Sequence, residues 1–290
     1  MTDSVARPFS VRVFLPGGDP DGVRVIEKTN WSGIGVVIPR PLLGESKGRP
    51  EMDRTAVYVL VGPGEDSPLP RVYIGEADVL RPRLVQHQQQ TGKDFWTHAV
   101  AFTSKDANLN KAHVKHLESR LVELAKASKQ CVLENSTAPG LPSLSEADAA
   151  EAEGFLADLL LCFPILGYGF FEQAPQQQTS TKTLFLRAKG ITAEGFESSR
   201  GFVVRAGSTA VGEAKEAASC HAYLIETRRE LVRQGVFTAK GDGFEVTQDY
   251  TFSSPSTASG VLLGKSSNGR VEWKAADGRT LKDIQDAENE

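Results

Sequence analysis

At 290 residues, with 40% hydrophobic and 24% charged residues, the chain has an ordinary globular composition and the length for two compact domains. Its net charge of -4 counts against a protein that coats nucleic acid through overall charge alone. Three widely spaced cysteines, Cys131, Cys162 and Cys220, with no C-x-x-C pair, exclude a disulfide framework and a cysteine zinc site.

The elements fall into three regions. In the first, 11–15 alternates like a strand, 16–22 is a dense Pro/Gly/Asp turn cluster, and 23–27 and 33–38 resume as strands, giving a small antiparallel β unit. A polar segment, 44–53, leads away from it. In the second region, 55–62 and 71–75 have strand character, and 79–87 reads as a helix with Asp78 as its cap and Pro82 in its first turn. The run 95–102 reads as a third strand. Next, 108–127 is an amphipathic helix with Ala112, Leu117, Leu121 and Leu124 on one face. A further helix opens near Leu144, with Ser145 as its cap, and runs through Leu161. The polar stretch 174–181 marks a linker. In the third region, 184–187 and 201–205 read as strands and 221–234 as a helix closed by Gly235. A hairpin is signalled at 240–243, a helix runs from Phe252 to Gly264, and Asn268-Gly269 forms a turn.

Residues 1–7 lack a basic segment followed by an apolar one, so no secretory signal is expected. The longest apolar stretch, 155–171, is interrupted by Asp158 and Pro164 and is too short to span a bilayer. A cytoplasmic protein is the expectation. Charge is uneven along the chain. From Arg71 to Lys129 there are ten cations and six acids, a local net of +4, whereas 134–172 contains no Lys or Arg. A basic stretch of that kind suits a phosphate-binding face; a solvated helix face is the alternative.

The chemistry-bearing residues lie in the basic stretch and on either side of it. They are the tripeptides Ala56-Val57-Tyr58 and Tyr73-Ile74-Gly75, followed by Arg83, His87, Glu118 and Asn135. Singly, each has an ordinary reading: a packed strand tyrosine, a surface arginine, a solvated histidine. In order and spacing together they resemble the core of the GIY-YIG nucleases. Ala56 stands where the family's first motif has glycine, and Val57 where it has isoleucine. The resemblance implies a divalent-metal-dependent endonuclease that hydrolyses phosphodiester bonds, with DNA as the partner. Glu118 would hold Mg²⁺ or Mn²⁺, and one carboxylate suffices because Mg²⁺ keeps several of its waters. Tyr58 takes the position of the general base or its partner, a role that needs nearby cations to lower its pKa from about 10. Tyr73 would position water or phosphate, Arg83 would bind phosphate through its fork, and His87 would assist proton transfer. Asn135 is the family's closing asparagine. Gly75 would allow a close approach beside the site, and Arg81, Lys111 and Lys115 would contact nucleic acid. A non-catalytic nucleic-acid adaptor or reader is the alternative function.

Two further segments carry resemblance. Phe14 with its Gly/Pro/Asp turn, together with Glu27 through Trp31-Ser32-Gly33, looks like the leader of a bacterial subgroup of these nucleases. The C-terminal third resembles an uncharacterised domain that often follows the core, through 202–208, 247–256 and 264–273. Its Ser-Pro-Ser, Asn-Gly and Trp pattern also resembles small domains attached to restriction-modification enzymes, and a protein partner for this third is a further expectation. Phe252 and Trp273 read as core. The expected architecture is α+β: an N-terminal β extension at 1–53, a GIY-YIG-like domain with a small mixed sheet at 54–173, a linker at 174–182 and a C-terminal α/β domain at 183–290.

Overall fold

Seven consecutive residues of Ala56–Gly62 are buried, the pattern of a strand covered on both faces, and this strand lies inside a seven-stranded sheet. The computed structural model describes residues 8–106, 108–137, 139–178 and 181–288. The reading of 1–7 as free of a secretory signal, and two positions of the expected linker, Thr179 and Ser180, lie outside the described residues. Contacts divide the chain into two compact units: Met1–Gly64 with Leu69–Phe171, and Glu65–Pro68 with Glu172–Glu290.

The first unit contains β1 (Val11–Phe14), β2 (Arg24–Lys28), β3 (Gly33–Pro39), β4 (Ala56–Gly62), β5 (Arg71–Ala77), β6 (His98–Ser104) and β7 (Val132–Leu133). Its helices are α1 (Leu80–Gln89), α2 (Lys111–Ser128) and α3 (Glu146–Ile165). The strand order is β1-β2-β3-β6-β4-β5-β7, and only the β5–β7 pair is parallel. The N-terminal extension is therefore continuous with the motif strands, because β3 pairs with β6 along seven residues, Gly33 to Pro39.

Alternation along β4 sends side chains to two separate cores. Val57, Val59 and Val61 meet the buried faces of α2 and α3, whereas Ala56, Tyr58 and Leu60 meet Leu80 and Leu84 of α1. Asn110 caps α2 by accepting hydrogen bonds from the Ala112 and His113 amides, a contribution of about 1 kcal/mol. Ser145 caps α3 as the sequence indicates. Asp78 does not cap α1: Val79 holds the cap position without a side-chain bond, and the Asp78 carboxylate pairs with Lys111 instead. Among the described residues no helix is long and apolar enough to cross a membrane.

The second unit has a four-stranded sheet, in the order β14-β10-β9-β8, and a three-stranded one, β11-β13-β12. Its strands are β8 (Leu184–Ala188), β9 (Ile191–Ser198), β10 (Gly201–Val204), β11 (Thr209–Val211), β12 (Phe237–Lys240), β13 (Gly243–Val246) and β14 (Tyr250–Phe252). Its helices are α4 (Ala222–Arg233), α5 (Pro255–Leu263), α6 (Gly269–Glu272) and α7 (Leu281–Glu288). Every strand pair among these is antiparallel, and β8–β9, β9–β10 and β12–β13 are joined by tight turns, so the unit is α+β where α/β was expected.

The Ser-Pro-Ser, Asn-Gly and Trp pattern of this unit is an internal lock. The Trp273 indole is fully buried and donates to the Pro255 carbonyl at 3.1 Å. The Gly269 amide donates to Ser256 Oγ at 3.0 Å, and any Cβ at Gly269 would lie 2.2 Å from the Pro255 backbone. Arg228 is likewise internal, reaching Glu216 at 2.7 Å and the Val211 and Val261 carbonyls.

Candidate active site

The antiparallel register of β4 and β5 sets Tyr58 directly opposite Gly75, and Leu60 opposite Tyr73. Cross-strand partners share a face, so both tyrosines point toward α1. Gly75 leaves the space that the Tyr58 ring fills: a Cβ there would lie 2.4 Å from the tyrosine hydroxyl oxygen and 2.5 Å from Cζ. On α1, Arg83 and His87 are four residues apart and therefore share one face. His87 Nε2 lies 2.7 Å from Tyr58 Oη, and Arg83 Nε donates to the same oxygen at 3.1 Å. The Arg83 fork also donates to Gln86 at 2.7 Å. Tyr73 lies edge-on to His87, with ring centroids 5.2 Å apart, and carries the Lys93 ammonium 3.1 Å from its own ring centroid.

Burial decides the electrostatics. Tyr58 is 0% exposed, and burial, reinforced by Tyr73, raises its pKa against the opposing pull of Arg83. The lowering by nearby cations that a general-base role calls for is not met in this arrangement, because the pull of Arg83 does not offset desolvation. His87 is pushed down to about 4 by burial and by the charges of Lys93 and Arg83, so it is neutral at pH 7. Lys93 falls to about 8 through burial and Arg83. Burial opposes the charge on Arg83, but the Tyr58 and Tyr73 hydroxyls raise its pKa overall. With a neutral imidazole, one proton arrangement serves the chain from Arg83 through Tyr58 to His87 and puts the imidazole proton on Nδ1, a buried atom without a hydrogen-bond partner. Arg83 donates to Tyr58 Oη, and Tyr58 donates its own proton to His87 Nε2.

Glu118 comes from α2, whose Leu117 and Leu121 pack on the other face of the sheet. Its carboxyl is raised to about 7 by burial and by Glu76, against Arg83, Lys111 and Lys115. The same carboxylate contributes to raising Tyr58, so the structure brings Glu118 within electrostatic reach of the tyrosine and arginine. Asn135 meets the second tyrosine tripeptide through its backbone. Its amide accepts from the Ile74 N–H at 2.9 Å and donates to the Ile74 carbonyl at 2.8 Å. It extends by a side chain the pairing that β7 makes only at Arg71 and Val72.

A groove of about 760 Å³ opens beside these groups, lined by Glu76, Asp78, Pro82, Arg83, Gln86 and Lys111 among others. The expected nucleic-acid contacts are less free than the linear charge count implies. Lys111 pairs with Glu76 at 2.7 Å and Asp78 at 3.1 Å, Arg81 pairs with Asp53, and Arg120 pairs with Glu123 and Glu153. Lys115 is exposed. Two residues escaped the sequence reading. Glu76 carried a signal, since it directly follows the second tyrosine tripeptide. Lys93 carried none, because a short 3-10 turn at Thr91–Lys93 brings it over Tyr73.

Among the described residues no cluster of three or more His, Cys, Asp or Glu side chains forms a metal cage. Residues 184–285, which span most of the second unit, match a family model described as a domain of unknown function (DUF4357). No model of the GIY-YIG family matched. No curated protein and no solved structure matched the chain.

Proposed function

We propose that the first unit is a divalent-metal-dependent endonuclease of GIY-YIG type that hydrolyses phosphodiester bonds in DNA. The observation that carries this reading is the convergence of Tyr58, Tyr73, Arg83 and His87 on one face of β4 and β5, with Glu118 in electrostatic reach beside an open groove. Separate elements supply these groups, and a purely structural role for each does not call for their meeting.

The donor set fits Mg²⁺, which takes oxygen ligands and retains water. Glu118 would hold it, with Glu76 beside it: burial first, and Glu76 second, raise the Glu118 pKa, and a cation would offset both. When bound, the ion supplies charge neutralisation at the phosphate and acidifies its bound water. The Arg83 guanidinium binds the phosphate oxygens and balances charge in the transition state. The Tyr58 hydroxyl is covered and bonded by Arg83. As Arg83 turns to a phosphate, that hydroxyl is uncovered with a neutral imidazole behind it. Tyr58 then takes the proton of the attacking water and passes its own to His87 Nε2. Tyr73, steadied by Lys93, lines the approach. Asn135 keeps β5 straight at the site.

The test is cleavage of supercoiled plasmid and of branched and single-stranded DNA with Mg²⁺, Mn²⁺ or EDTA, wild type beside Glu118→Gln. Metal-dependent nicking that the variant loses is the expected result. Equal cutting by the variant removes Glu118 from the mechanism. Salt-sensitive DNA binding without cutting in any metal replaces the nuclease by a reader.

A further inference from the structure

We propose that Lys93 is a second phosphate-binding cation of the candidate site, acting with Arg83 around the Tyr73 ring on a phosphodiester group, an inference that rests on the nuclease reading of the first unit. Lys93 ends the short turn Thr91–Lys93 that follows α1, and its amide donates to the Gln90 carbonyl at 3.1 Å.

One residue holds that turn from both sides. Arg40, directly after β3, donates to the Asp94 carbonyl at 2.8 Å and to its carboxylate at 2.5 Å. It also reaches the Gln88 carbonyl at 3.5 Å, and the Gln88 amide donates back to the Arg40 carbonyl at 3.4 Å. The Arg40 guanidinium in turn packs over Trp96, 5.1 Å from the ring centroid. The backbone on either side of Lys93 is thereby fixed, and the ammonium settles 3.1 Å from the Tyr73 ring centroid.

The charges gathered there are unbalanced. Lys93 and Arg83 are both half-buried. Among the described residues Lys93 forms no ion pair, and the hydrogen bonds of Arg83 go to neutral groups, the Tyr58 and Tyr73 hydroxyls and the Gln86 amide. The carboxylates that reach the two cations through space are engaged elsewhere. Glu134, which acts on Lys93, is bonded to Arg71 at 2.8 Å, and Glu118, which acts on Arg83, is the proposed metal ligand. The cations therefore repel each other. Burial first, and Arg83 second, lower Lys93 to about 8, and both cations push His87 down. Charges withdrawn from water call for a partner, and the partner missing here is a compact anion with more than one acceptor oxygen. A phosphodiester has two non-bridging oxygens, one for the Arg83 fork and one for the Lys93 point charge. As hydrolysis adds negative charge to that group, the second cation gains in effect.

The test uses the full chain and a labelled DNA duplex, followed by fluorescence anisotropy over a range of salt in the Glu118→Gln background. Adding Lys93→Met, which keeps the length of the side chain and removes its charge, should weaken binding and make the log–log salt slope shallower by about 1, the mark of one lost phosphate contact. In the otherwise native chain with Mg²⁺, the same substitution should slow plasmid nicking about tenfold or more. The titratable and charged groups around Lys93 are Tyr73 on β5, Arg83 and His87 on α1, and Glu134 after β7. Arg83 stays charged and His87 titrates near 4, so duplex affinity in the Glu118→Gln background should fall as pH rises through about 8 and Lys93 loses its proton. Lys93→Arg, which keeps its charge, should retain the salt slope and abolish that fall. An unchanged salt slope in folded Lys93→Met overturns the proposal, whatever the nicking rate does, and so does nicking by that variant at the wild-type rate. A native chain that binds the duplex and nicks nothing in any metal removes the nuclease reading, while the salt slope still decides on Lys93. A chain that binds no DNA overturns both.

Discussion

Replacing Gly75 by alanine tests the core of the site with a single methyl group. The new Cβ would lie 2.4 Å from Tyr58 Oη, 2.5 Å from Cζ and 3.1 Å from Cε1, against ordinary contacts of about 3.5 Å, so the ring must retreat by about 1 Å. Tyr58 is fully buried, so its ring can retreat only against packed neighbours. A shift of that size stretches its contacts of 2.7 Å to His87 and 3.1 Å to Arg83 beyond hydrogen-bonding range. Overpacking costs about 1–3 kcal/mol and each lost buried hydrogen bond about 1 kcal/mol, giving about 3–5 kcal/mol in total. For a unit of this size that lowers the melting transition by about 6–20 °C. Differential scanning calorimetry of the full chain reads it, with the transition of the first unit followed through Trp31 and Trp96. Gly92→Ala, where the added Cβ meets nothing within 4 Å, is the control and should change stability by less than about 0.5 kcal/mol. A Gly75→Ala protein that melts within about 1 °C of wild type would refute the stacking of Tyr58 over Gly75 and the proton arrangement built on it.

Three other outcomes follow from the same contacts. His87 has a folded pKa of about 4, below its ordinary 6.5, so the unfolded chain binds more protons between those values. Its contribution is complete above pH 6.5 and is lost as pH falls toward 4, on the order of 1–2 kcal/mol after solvent screening; urea melts across that window should show the decline, and His87→Asn should flatten it. Arg228→Ala strands the Glu216 carboxylate and two buried carbonyls, and should cost about 3–5 kcal/mol in the second unit, measured by denaturant unfolding. Asn135→Ala removes both bonds to Ile74 and should cost about 1–3 kcal/mol, with faster hydrogen exchange at the Ile74 amide; unchanged exchange there would remove Asn135 from β5.

Much of the site was legible because its logic is local. Runs of β-branched and aromatic residues marked β4 and β5 as strands, whereas the register that sets Tyr58 against Gly75 came with the folded sheet. Helical spacing put Arg83 and His87 on the same face of α1. The Ser145 cap and the hairpin around Gly241 were likewise written in a few adjacent residues. The antiparallel pairing of the second unit was not, because strand direction depends on which segments meet, and neither was β9, which sits between two recognised strands.

Charge and proton affinity were the least legible quantities. The linear count gave the motif region a surplus of cations, but folding brings Asp53, Glu134 and Glu153 from outside that stretch to pair with Arg81, Arg71 and Arg120. A sequence lists charges without their distances, and pairing falls off with distance and solvent screening. The same holds for Tyr58, whose pKa depends on how completely its hydroxyl is desolvated. The sequence by itself determined which groups stand on which face of each element, since strand and helix periods are properties of the backbone. Only the tertiary structure decided which of those groups are buried, paired or left unmet, because desolvation and contact arise when the faces close on one another.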